Sequence, residues 1–133
     1  MFLSERPVRR QGFYGNGSCF MWRENTEADS LKVYMATAAN SYYILAETGA
    51  TSSSSISPPA SQYASHSTRG ASYLQNQEFL AFGAGDGTFG LWIDHQLLNG
   101  HSDTCPTFLN EPLSSSPNRN FQILALELWS FVI

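Results

Sequence analysis

Glu78-Phe79-Leu80-Ala81-Phe82-Gly83-Ala84-Gly85-Asp86-Gly87-Thr88-Phe89-Gly90-Leu91-Trp92-Ile93-Asp94 is an apolar run, a glycine cluster and a second apolar run. Glu78–Phe82 and Thr88–Asp94 are rich in the residue types that favour strands. Gly83, Gly85 and Gly87 supply the positive φ that a tight hairpin demands. A phosphate-cradling loop would need a helix after the glycines, so that its N-terminal amides meet the anion. A strand follows instead, with no Lys-Ser or Lys-Thr pair, which argues against nucleotide binding.

Outward from this hairpin the strand signal repeats. Ser18–Arg23 follows the glycine turn Gly15-Asn16-Gly17. Leu31–Met35 alternates apolar with mixed residues, and Ser41–Ala46 is a further β-rich run. No window holds apolar residues at helical spacing over three turns. The last run, Phe121–Trp129, is apolar at both alternating sets of positions, which predicts a central strand covered on both faces. Glu127 interrupts it and must either reach the rim or hold a partner, with Arg9, Arg10 and Arg23 as the candidate mates. Trp92 and Trp129 are expected as core anchors. The fold class is therefore mostly β.

The 133 residues are read as one domain. Aromatic residues make up 14%, too many for a disordered chain. Residues 48–77 differ in composition, with nine serines, two prolines and a single charge, Arg69. This segment is predicted to be a disordered insertion, since it offers little burial to offset its ordering entropy.

The net charge of −4 argues against a nucleic-acid surface, and no apolar run reaches the ~18–20 residues of a helical membrane span. Two cysteines, Cys19 and Cys105, do not make a disulfide scaffold and suit a reducing compartment. The Arg-rich start, Met1–Arg10, lacks an apolar signal region and reads as a solvated end.

Catalytic signals are weak. His101, Asp103 and Cys105, with His95, lack the second ligand pair of a zinc site. Ser102 with His95 or His101 and Asp94 or Asp103 has no nucleophile elbow. Cys105 and His101 form the best thiol–imidazole pair, but nothing specifies a lowered thiol pKa. Glu111 and Glu127 are not brought together as an acid/base pair.

Four motifs taken in order carry a resemblance. Phe13-Tyr14-Gly15-Asn16-Gly17-Ser18-Cys19-Phe20 is similar to a "FYGTGECF" signature. Phe82–Asp94 resembles a glycine-rich turn followed by "GLWLD". Gly100–Leu113 resembles "G-x-S-x-x-C-x-T-F-G-N-E-P-L", and Leu126-Glu127-Leu128-Trp129 resembles a closing "VEVW". The chain thus resembles the TLDc domain family over about Phe2 to Phe131, most nearly its fungal members. The resemblance implies two antiparallel sheets packed as a β-sandwich with few short helices at the margin. It also implies a domain lacking the family's N-terminal portion, and so an incomplete version of the fold. Ser18 stands where the family usually has Glu, and Leu109 where it usually has Gly.

The resemblance implies a non-enzymatic interaction module in the oxidative-stress response, which binds the V-ATPase and promotes its disassembly. It implies no catalytic residues, no cofactor, no metal and no small-molecule substrate. Gly15, Gly17, Gly83, Gly85, Gly87, Trp92, Asp94, Cys105, Glu111, Glu127 and Trp129 are the structural or partner-binding candidates. The implied location is intracellular: the mitochondrion, or the cytosol and vacuolar membrane surface. The rival readings are a thiol-dependent antioxidant using Cys105 or Cys19, and an inactive fragment.

Overall fold

A computed structural model describes residues 1–47 and 78–131. Seven strands occur among them: β1 (Phe20–Asn25), β2 (Ser30–Met35), β3 (Ile44–Glu47), β4 (Phe79–Gly85), β5 (Thr88–Asp94), β6 (Asn99–His101) and β7 (Asn120–Gln122). β1 and β2 form a two-stranded antiparallel ribbon, and β3-β4-β5-β6-β7 form a five-stranded antiparallel sheet in chain order. The expected two-sheet, mostly-β fold is present. No helix lies among the described residues, so the expected marginal helices are not found there. The Ser-rich segment 48–77 lies outside the described residues.

The main core lies where the ribbon meets the large sheet. Met21 of β1 and Tyr34 of β2 join Ile44, Phe82 and Ile93 of the sheet, with Tyr14, Cys19, Tyr43, Cys105 and Phe108 from the connections. A second cluster, Leu45, Ala81, Ala84, Phe89 and Trp92, covers the sheet's other face and is capped by Phe13 and Phe79. Trp92 is 7% exposed, and Phe79 stands 6.3 Å from it between ring centroids. Trp92 is thus the expected core anchor.

Alternation along β4 and β5 slips once. Phe82 pairs with Leu91 and Ala84 with Phe89, so the facing Gly83 and Gly90 drop out of the register. Both glycines turn toward Cys105. The slip gives the 105–108 turn room against the sheet.

The last run departs from expectation. The ladder ends at Gln122, with one further bond from the Ile123 N–H to the Leu98 carbonyl. Leu124 is 98% exposed and Trp129 81%. Phe121–Trp129 is therefore not a central strand, and Trp129 is not a core anchor. A two-faced apolar strand needs neighbours on both edges and layers on both faces, and among the described residues β7 pairs with β6 alone, over three residues. Glu127 is likewise exposed, and accepts a 3.0 Å hydrogen bond from the Trp129 indole N–H. The expected arginine mates are engaged elsewhere: Arg9 with Glu78, Arg10 with Glu5, and Arg23 with the Pro112 carbonyl.

Candidate functional site

The β4–β5 turn has Asp86 at φ 54° and Gly87 at φ 79°, the two left-handed residues of a type I′ hairpin. The segment 102–113 lies against this hairpin, with the side chains of Ser102, Thr107 and Asn110 turned inward. Buried Ser102 donates from Oγ to the Gly90 carbonyl at 2.5 Å and accepts from the Leu113 N–H at 2.8 Å. Thr107 Oγ1 accepts from the Ala84 N–H at 2.9 Å. Its proton goes to the Ala84 carbonyl at 2.9 Å or Asn40 Oδ1 at 2.8 Å. Asn110 donates to the carbonyls of Asp103 and Glu111 at 2.7 and 3.0 Å. These side chains replace backbone partners in a buried loop without regular structure, where unmet polar groups would be costly.

Cys105 sits at the centre. Its buried Sγ lies 3.3 Å from Asn110 Oδ1, and burial pushes the thiol pKa up. A thiol raised in this way is a weaker nucleophile at neutral pH than a free one. A side chain at Gly83 would reach Phe108 Cδ2 at 2.5 Å and Cys105 Sγ at 2.8 Å, and one at Gly85 would reach Pro106 Cγ at 2.7 Å. The glycine motif and the Cys-containing motif are thus two halves of one packed junction.

Of the groups weighed for catalysis, His95 is exposed, while His101, Asp103 and Asp94 are committed to structure. His101 is buried, with Nδ1 2.6 Å from Asn120 Oδ1. Asp103 pairs with Arg119. Asp94 closes the β5–β6 turn, accepting from the Leu98 and Asn99 N–H groups and the Asn99 amide. Burial works to raise the Asp94 carboxyl, but these donors outweigh it and hold it below its usual range. Among the described residues, no three metal-ligating side chains gather, and no helix is long and apolar enough to cross a membrane.

Glu111 ties the loop to the ribbon. Its carboxylate takes a 2.5 Å bond from Lys32 and a 3.4 Å bond from the Tyr34 hydroxyl. The Lys32 bond lowers the Glu111 pKa and raises that of Lys32. Gly15 and Gly17 lie at the far end of the ribbon, in a turn closed by the Ser18 N–H donating to Asn16 Oδ1 at 2.9 Å. The expected candidates therefore fall into separate groups. Gly83, Gly85 and Cys105 meet; Trp92 and Asp94 line β5; Glu127 and Trp129 share the exposed last segment.

This geometry coincides with the sequence motifs along nearly the whole chain. The sequence model of the TLDc domain matches residues 1–132. The chain belongs to the TLDc domain family. It is 36% identical over 140 residues to oxidation resistance protein 1 of Podospora anserina, covering 96% of this chain and 39% of that protein. It is 32% identical over 117 residues to oxidation resistance protein 1 of Yarrowia lipolytica, covering 88% and 37%. The Bos taurus oxidation resistance protein 1 is 30% identical over 130 residues, covering 98% and 11%. The chain thus spans about two-fifths or less of the length of these curated relatives.

For this TLDc chain, sequence reasoning missed the Thr107, Asn110, Asn40 and Ser102 network and the outer face of the ribbon. The network has no local signature, because its partners lie as many as 67 residues apart. The ribbon did carry a period-two signal in Leu31, Val33 and Met35, but hydropathy alone would turn them inward. The structure buries Tyr34 instead and leaves those three exposed.

Proposed function

We propose that this chain is a non-enzymatic TLDc interaction module of the oxidative-stress response, which binds the V-ATPase and promotes its disassembly. The relatives' name, oxidation resistance protein 1, supports the stress-response part. The V-ATPase part extends the family resemblance. The observation that carries the non-enzymatic reading is the state of the reactive and polar groups: Cys105, Ser102 and Asn110 are buried and spent on holding one loop, and His101 is buried against Asn120 of the next strand. The large unpartnered features are instead apolar and on the surface, as protein-binding faces are.

The thiol-dependent antioxidant reading has less support, because both cysteines are buried and the Cys105 thiol is pushed up. On this proposal the chain acts inside the cell, at the vacuolar membrane surface and in the cytosol or mitochondrion. Co-sedimentation of the purified chain with vacuolar membranes carrying assembled V-ATPase tests it. Saturable association is expected. Equal sedimentation with membranes stripped of the pump would overturn it.

A further inference from the structure

The β1–β2 ribbon is apolar on the face turned away from the core. Register places Phe20 beside Met35, Trp22 beside Val33 and Glu24 beside Leu31. Residues two apart share a face, so these six lie together on the side opposite buried Met21 and Tyr34. Phe2 extends the strip by stacking on Phe20 at 5.2 Å. Trp22, Leu31, Val33 and Met35 are all exposed. The far end of the strip is acidic. Glu24 stands on the same face, and Glu27 and Asp29 lie in the turn that follows. All three are exposed and in none of the ion pairs among the described residues.

From this pairing of an apolar strip with an unneutralised acidic end, we infer that the outer face of the ribbon docks an amphipathic helix of a protein partner. That helix carries an apolar stripe and Lys or Arg at one end. A helix laid on a sheet is the usual way to cover such a face. A six-residue ribbon runs about 20 Å, which about 14 helical residues match. The acids select the charge of the occupant. They repel an anionic lipid surface, and they disfavour a second copy of a chain whose net charge is −4 and whose other exposed apolar segment carries Glu127. The inference rests on the reading of this chain as an interaction module, but not on the V-ATPase being the partner.

The probes are two labelled 14-residue helical peptides with the same Leu stripe, one ending in four lysines and its twin in four glutamates. Anisotropy titrations with the full chain read their affinities. The lysine peptide should bind at least ten-fold tighter than its twin, and the gap should narrow as salt rises. Glu24→Lys with Glu27→Lys, both at exposed positions, should reverse the preference. Val33→Ser with Met35→Ser should weaken both peptides at least ten-fold while the circular dichroism spectrum stays unchanged. An unchanged preference after the charge swap would overturn the inference. So would a ribbon-dependent dimer in sedimentation, or tighter binding to anionic vesicles than to the lysine peptide. If the charge swap reverses the preference but the chain ignores the V-ATPase, the inference stands and the proposed function falls. If the swap changes nothing and V-ATPase binding persists, the reverse holds.

Discussion

Gly83 and Gly87 offer a matched pair of substitutions. Both lie in the left-handed region, at φ 69° and 79°. A Cβ at Gly87 meets nothing within 4 Å, whereas one at Gly83 meets Phe108 at 2.5 and 2.7 Å and Cys105 at 2.8 Å. Gly87→Ala therefore bears the backbone cost alone, ~1–2 kcal/mol. It recovers about 0.4–1 kcal/mol because alanine restricts the unfolded chain. A net loss of roughly 1 kcal/mol is expected. Gly83→Ala bears the same terms and adds overpacking of about 1–3 kcal/mol. Phe108 is itself buried, so its ring has little room to give way. Gly83→Ala should thus lose about 2–4 kcal/mol. Urea unfolding of both variants, with slopes compared against the parent, measures the two values. Equal losses would refute the close packing of the glycine turn on the Cys105–Phe108 turn. A neutral Gly83→Ala would refute the backbone conformation as well.

Other outcomes follow from the same structure. Leu109 holds φ 45° with its side chain 69% exposed, so Leu109→Gly should raise stability by about 0.5–1 kcal/mol, read as a higher midpoint in urea. Trp92→Ala should cost ~3–5 kcal/mol as a buried truncation, while Trp129→Ala should stay within about 0.5 kcal/mol; thermal melts of the pair separate them. Iodoacetamide at pH 8 should label neither cysteine in the native chain and both in denaturant, by mass spectrometry. Because the folded Cys105 thiol is raised, its contribution to stability is complete below the ordinary thiol range. It is lost progressively as pH rises from that range to the raised folded value, an interval in which only the unfolded thiol ionises; a fall in melting temperature there, reduced in Cys105→Ala, checks the sign.

Much of the fold was legible because its strands carry local signals. β5 matches its expected span of Thr88–Asp94, and Gly83–Gly87 announced the hairpin. β6 was not legible: Asn99-Gly100-His101 reads as turn residues, and its pairing comes from flanking strands. Gly100 faces the Phe121 ring so closely that a Cβ would lie 2.3 Å from it, a tertiary reason for glycine that no local pattern shows. The last run misled in the opposite way. Its alternation is genuine, but alternation reports only that two faces are apolar, and neighbours decide whether they are covered. Glu127, which had either to reach the rim or to hold a partner, reaches solvent because the segment that carries it is uncovered. Of the site, the close meeting of Gly83 and Cys105 was visible only as two separate motifs. The distance between them is set by the slip in β4 and β5, which follows from tertiary packing.

The most direct test of the account uses the chain with Cys19→Ala and Cys105→Ala. Added at equal folded concentration to vacuolar membranes carrying assembled V-ATPase, it is followed by the fraction of the pump's soluble sector released. An interaction module predicts release equal to that of the parent chain. A folded cysteine-free chain that releases no more than buffer, beside an active parent, would contradict the non-enzymatic account; no release by the parent itself would contradict the choice of partner.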